Sequence, residues 1–534
     1  MSSISLRLSP GQLPLVQFVE SDDRFLDECD VVWFRTLRDL DWRPFVAAAV
    51  QYYEALWQFN QEQLEARTAK VVAHPVPDPE TEEQARQRLL LDRATLDATK
   101  PVIAAIETSV REPAHVNPDA IRPGHVPLRI RGRTPKDFFA MLKAFLGVML
   151  MGRPAEPEFV HDELTGNPAF ARTCGFTLPE PACGYRATDI PRRRKLEQFD
   201  QIMTKNGLWD ALALGQVRRN IESGKLGEAT IGVHDTTHHL AFSSMEVPVV
   251  EGRTKNGKPL RKSHPRTTKN CRCENREVCP HEWISADDGA GTVVKAGGKM
   301  YWGHKASTFA LAGLPEIPLD LVALTDAATH DSRSLLPQLE RISIRFPSVI
   351  AKVKIVLDDG ALDDDAIRKM VKEKFDMDLV VKPNPRGRNA MEYGLPKGID
   401  HVTPTGTPVC RAGFPFDLLG TRKETGHFLF TAPDASEGVP VCTDCALRED
   451  CIRPNAERRH ISIPCEMLPF MDPVLPHLSK RFARLTAKRT VIERIHKLMK
   501  YDYGRERLTK RGTAAYQATL DKTLLAMHIV LAHD

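Results

Sequence analysis

The run Ala229–Ser243, ATIGVHDTTHHLAFS, sets a carboxylate inside an apolar stretch. Small and β-branched residues lead into Asp235, and a Thr/His turn follows. A strand covered on both faces reads as a near-continuous apolar run, so this pattern predicts a buried strand with one acid near its end. An ionised Asp at such a place is costly unless something compensates it. It either caps the next turn or serves with other acids as a ligand for a cation. The second reading requires that the chain bring further acids to the same point.

Two other stretches qualify. Val353–Leu357 is an apolar strand that runs into Asp358 and Asp359, with Gly360 allowing a tight turn. Asp363–Lys374 has helical spacing, and Leu379–Val381 is strand-like again. Tyr301–Leu311 and Leu319–Leu324 predict two more strands, and Asp331–Ile342 a helix. This alternation of strands and helices points to an α/β core. The third stretch, Lys480–Arg511, carries twelve Lys and Arg against three acids. Its apolar stripe of Val491, Ile492, Ile495, Leu498 and Met499 predicts an amphipathic helix. Glu493 lies among the bases, and Arg489 and Lys500 fall on its helix face. Taken alone, this pattern more commonly marks a salt-bridged surface helix.

Were Asp235, Asp359 and Glu493 to converge, their repulsion would be large. Two carboxylates about 4 Å apart repel by roughly 4 kcal/mol at an effective dielectric near 20. A divalent cation relieves this, and an all-oxygen donor set suits magnesium or manganese. Two such ions can activate an attacking oxygen and stabilise a leaving one at a phosphodiester. The surrounding bases suit a nucleic-acid backbone. The whole chain does not say this: 74 Lys and Arg stand against 70 Asp and Glu, so local clustering carries the argument.

These segments resemble a DDE transposase of bacterial insertion sequences, the group with an RNase H-like catalytic core. VHDTTHH is similar to the first-aspartate strand, and VLDDGALDDDAIR to the second-aspartate block, with Leu362 where an aromatic residue is usual. That register makes Asp359 the catalytic match and Asp358 the reserve. Arg489, Glu493 and Lys500 match the Tyr-x2-Arg-x3-Glu-x6-Lys signature in spacing, with Thr486 in the tyrosine position. YWGHK at Tyr301–Lys305 and the segment Asp326–Leu335 resemble the region between the two aspartates. The likeness spans roughly residues 130–534. It implies an RNase H-like mixed sheet flanked by helices. It also implies Asp235, Asp359 and Glu493 as catalytic residues holding two magnesium (or manganese) ions, and Arg489, Lys500, Lys305 and Trp302 against DNA. The implied partners are double-stranded terminal repeats and target DNA, with a homodimer in the working complex. Two rivals remain open: a non-catalytic or repurposed DNA-binding protein, and a metal-dependent nuclease that cuts without joining.

The expected organisation follows. Residues 1–222 form a mostly helical region suited to binding DNA ends, with Pro-rich connectors at Val71–Glu83 and Pro113–Pro127. Residues 223–383 form the first part of the core and include a basic, Cys-containing loop at 247–297. Residues 384–475 form a Cys-rich insertion, and 476–534 supply helices that complete the core. Cys442-x-x-Cys445 followed by Cys451 has zinc-ligand spacing, with Cys410 or Cys465 as the fourth ligand. Cys271, Cys273, Cys279 and His281 form a second zinc-like set. No charged-then-apolar leader opens the sequence, and Phe138–Gly152 is too short for a membrane span. The expectation is a soluble bacterial cytoplasmic protein working at the nucleoid.

Overall fold

The computed structural model describes residues 32–73, 137–176, 190–226, 229–242, 249–253, 259–261, 287, 289–294, 300–313, 315–324, 327, 329–385, 388–435 and 439–533. They fall into two units. One comprises residues 1–223 with 499–534, the other residues 224–498.

The first unit is helical among its described residues. Its helices are α1 (Val32–Asp39), α2 (Val46–Ala73), α3 (Phe138–Leu150), α4 (Pro157–Gly166), α5 (Pro168–Cys174), α6 (Arg193–Lys205) and α7 (Leu208–Glu222). The apolar run read over Phe138–Gly152 is α3. Asp137 caps it, accepting the Phe139 N–H at 2.8 Å. Nearly every side chain of α3 is buried, and Phe138 and Phe145 pack with Tyr52, Phe199 and Trp209 in one aromatic cluster. Beside this cluster lies a buried charge network: Asp200 accepts the Trp209 indole N–H at 3.0 Å and pairs with Lys522 at 2.6 Å and with Lys510.

The second unit is built on a mixed sheet. Its strands are β1 (Ile231–Leu240), β4 (Gly291–Val294), β5 (Met300–Leu311), β6 (Pro318–Ala323), β7 (Ile355–Asp358) and β8 (Asp378–Val381). A separate two-stranded ribbon pairs β2 (Val249–Arg253) with β3 (Pro259–Arg261). The order is β4-β5-β1-β7-β8, and β6 also pairs with β5. β1 is central: it runs antiparallel to β5 and parallel to β7. The parallel steps are made by helical crossovers, α8 (Leu335–Arg345) before β7 and α9 (Asp365–Phe375) before β8. The α/β alternation read from the sequence is therefore present, with element ends within a few residues.

Residues 384–475 are more ordered than their Pro and Gly content suggests. They hold β9 (Ile399–Val402) paired with β10 (Pro408–Cys410), and a sheet of β11 (Asp417–Arg422), β12 (His427–Thr431) and β13 (His460–Pro464). Phe428, Phe430, Ile463 and Val402 form a separate apolar core there.

The C-terminal stretch departs from expectation in two ways. It is two helices, α10 (Lys480–Ala487) and α11 (Thr490–Lys497), followed by a π-helical turn, Leu498–Asp502. The last helix, α12 (Thr513–His533), packs along α7 in the first unit instead of completing the sheet unit. Its buried face explains this: Asn220 of α7 donates to the His528 carbonyl at 2.7 Å. Among the described residues no helix is long and apolar enough to cross a membrane.

Candidate functional site

Strand parity sorts the acids. Successive side chains of a strand point to opposite faces, so His234 and Asp235 cannot share a side of the sheet. On one face His234 is fully buried. Its Nδ1 bonds the Asp358 carboxylate, and its Nε2 meets the Ser307 hydroxyl at 2.8 Å and the Ser334 hydroxyl at 3.2 Å. The Ser307 hydroxyl in turn bonds Gln338 of α8 at 2.5 Å. Burial opposes charge on this imidazole, but the Asp358 carboxylate outweighs it and holds His234 above its ordinary value. Asp358 is only 3% exposed. It is thus committed to joining β1 to β7.

Asp235 lies on the other face. Its Oδ1 accepts the Thr236 N–H at 2.8 Å, and its Oδ2 accepts from Arg489 Nη1 at 3.0 Å. The other terminal nitrogen of Arg489 stands 3.6 Å from Glu493 Oε1. One guanidinium therefore holds both carboxylates, across 254 residues of chain between Asp235 and Arg489. Arg489 sits at the junction of α10 and α11, one residue before the first turn that carries Glu493. Ile492 and Ile495 bury the inner face of α11, and His496 Nε2 meets Thr308 Oγ1 at 3.0 Å. Thr308 is the residue paired with Asp235 between β5 and β1. The helix is thereby pinned directly beside the acid. Arg494 adds a two-pronged contact with Glu316, 2.6 Å on each prong.

Burial pushes the Asp235 carboxyl up to about 6, against the lowering effect of Arg489. Glu493 is 61% exposed. The arrangement is thus one partly buried acid at the wall of the sheet and one acid facing solvent, with a cation between them.

Asp359 follows β7. The last paired residues of the parallel ladder are Val233 and Leu357, so Asp235 and Asp359 stand two residues further along adjacent strands. Its Oδ1 accepts the Ala361 N–H at 2.8 Å and caps the short turn Gly360–Leu362. Among the described residues no three His, Cys, Asp or Glu side chains form a ready-made metal cage.

The expected DNA contacts divide. Arg489 is in the site. Lys500 lies in the π-helical turn and belongs to the helical unit. Lys305 is 5% exposed, and its ammonium is held by Asp331 and by the Thr329 carbonyl at 2.8 Å. That placement corrects its expected role: the charge is spent inside the fold, where Asp331 also accepts the Thr236 hydroxyl at 2.5 Å. Trp302 is half-buried on β5, opposite Thr292 of β4. Of the Cys sets, Cys410, Cys442, Cys445 and Cys451 line one cavity, whereas Cys465 is not among its lining residues. Cys271, Cys273, Cys279 and His281, with most of the basic loop, lie outside the described residues.

The sequence reading missed His234–Asp358 and Lys305–Asp331. The signal was there in part: a His immediately before an acid on a buried strand, and a Lys in mid-strand, both demand a buried partner. The chain matches no family model and no curated protein.

Proposed function

We propose that this chain is a DDE transposase with an RNase H-like core, cutting DNA at element ends and joining the freed 3′-hydroxyl to target DNA. The observation that carries the reading is the Asp235–Arg489–Glu493 bridge. It joins a strand-borne acid to a late-helix acid with the basic residue at the position the signature gives it. Further support comes from the mixed sheet, with the first acid on its central strand and Asp359 after the neighbouring parallel strand.

The donors suit a hard divalent cation. They are oxygens only, and Asp235 and Glu493 are already organised about a positive group, the Arg489 guanidinium. Asp235, Asp359 and Glu493 would hold the magnesium ions. When bound, such ions supply activation of an attacking oxygen and stabilisation of a leaving one. Arg489 offsets the repulsion between the two carboxylates before cations arrive. Once released, it is placed to hold a phosphate oxygen by a charge-assisted hydrogen bond. His234 and Asp358 fix the register of the two acid-bearing strands from the opposite face.

The test uses purified protein, magnesium and labelled duplexes carrying the sequences that flank its coding region. Cleavage at a defined end, followed by joining of a pre-cut end to a plasmid, is expected. Both should vanish in Asp235→Asn with end binding retained. One observation favours a non-catalytic DNA-binding protein: the Asp359 carboxylate caps its own turn. Binding with no magnesium-dependent cutting would establish that reading, and cutting without joining would establish a nuclease.

A further inference from the structure

The segment 384–475 contains a feature that strand cleavage does not use. Cys410 ends β10, where a tight turn closes through Cys410 N–H to the Phe414 carbonyl at 3.0 Å and Gly413 N–H to the Cys410 carbonyl at 2.8 Å. Cys442 and Cys445 lie in the turn after β12, and Cys451 ends a single helical turn. Arg448 braces this knuckle. Its N–H donates to the Cys445 carbonyl at 3.0 Å, and its guanidinium donates to the carbonyls of Cys442 and Ala456, each at 2.9 Å. The four sulfurs come from two separate pieces of chain, yet their residues line one cavity of about 30 Å³, room for a single water-sized occupant. All four are free, half-buried thiols. Gly398 stands against Cys451: a Cβ there would lie 2.7 Å from its Sγ, so the wall beside the sulfur has no space for a side chain.

We propose that Cys410, Cys442, Cys445 and Cys451 form a structural zinc site that closes one flank of the insertion. Four soft donors with gaps of two and five residues in the knuckle, and no carboxylate or imidazole among the lining residues, select a thiophilic ion of tetrahedral habit. The thiols line the cavity without yet forming a cage. Binding therefore draws the Cys442–Cys451 knuckle inward, with each ligating thiol giving up its proton as its sulfur–zinc bond forms. The physical reason for such an ion is size. The insertion has a core of its own that is small, with Cys410 and Cys442 packed at its edge, and small β-rich units usually need a staple. This site stands independently of the DNA-cleavage reading, because it shares no residue with Asp235, Asp359 or Glu493.

The experiment uses the full chain, purified under reducing conditions without chelator. Bound metal is counted by mass spectrometry, and iodoacetamide labelling of each Cys is mapped before and after a zinc chelator. The four Cys are expected to be alkylated about tenfold more slowly with metal than without it, while Cys465 changes little. Cys442→Ser and Cys451→Ser are each expected to lose about one zinc equivalent, and Cys465→Ser to lose none. The labelling needs no variant, so it decides the matter even where a substitution unfolds the insertion. Equal labelling rates with and without chelator would overturn the proposal. So would an unchanged zinc count in both variants.

Discussion

Replacing Asp235 by Asn tests the electrostatics of the site without presupposing catalysis. Burial is the largest influence on this carboxyl, and it raises the value from the ordinary 3.8 to about 6 despite Arg489. A shift of that size corresponds to about 3 kcal/mol between the two protonation states. The sign follows from linkage. Between the two values the folded chain holds a proton that the unfolded chain has released. Stability from this group is therefore greatest at acid pH, falls as pH rises through the window, and is fully lost above about pH 6. From pH 5 to pH 8 the fall is about 1.5 kcal/mol. An asparagine side chain does not titrate, so the Asp235→Asn variant should gain about 1.5 kcal/mol on the native chain over that range. The assay is denaturant unfolding in EDTA at several pH values, with hydrogen exchange of the β1 amides isolating the sheet unit. Parallel pH profiles for the two proteins would refute the reasoning. Adding magnesium at pH 8 extends the test. If an ion binds with a dissociation constant about one-tenth of its free concentration, the native chain gains about 1.4 kcal/mol, and the variant should gain little. An equal gain in both would remove Asp235 from the ligand set.

Three further outcomes follow from particular contacts. Lys522→Met removes a buried partner of Asp200 and should cost about 3–5 kcal/mol in denaturant unfolding of the helical unit. Little change would mean that Lys510 alone compensates the acid. Gly303→Ala puts a Cβ 2.1 Å from the His239 carbonyl oxygen, across the β1–β5 ladder. That clash with backbone should cost about 1–3 kcal/mol and speed exchange of the β1 amides; unchanged exchange would refute it. Arg489→Ala removes the main influence that holds the Asp235 carboxyl down. Infrared or carbon-13 titration of that carboxyl should show its midpoint moving above about 6, and a downward move would contradict the bridge geometry.

The sheet was readable because its strands are covered on both faces. Ile231–Val233 and Ile355–Leu357 have little freedom to be anything but central parallel strands, and both run into acids. The insertion was harder. Its strands are short and broken by Gly and Pro, and its core comes from pairing Phe428 and Phe430 with Ile461 and Ile463, which no local periodicity announces. The late helices were read as one because the apolar stripe continues past Leu498. What breaks it is geometry: α11 ends at Lys497, and Leu498–Asp502 continues as a π-helical turn. Composition alone does not reveal such a turn.

The acid pair at 358 and 359 marks where reading by motif gives way to reading by register. Two adjacent acids after a strand are chemically alike in the sequence, and either could be a ligand. The pleat makes them unlike. Asp358 shares a face with His234, under α8, and Asp359 continues the face of Asp235. A one-residue slip of β7 against β1 would exchange these faces and break the His234–Asp358 pair. The His234–Asp358 pair resists that slip, since a broken buried pair costs about 3–5 kcal/mol. Fixing which of the two acids continues the face of Asp235 is thus the work of residues on the opposite side of the sheet.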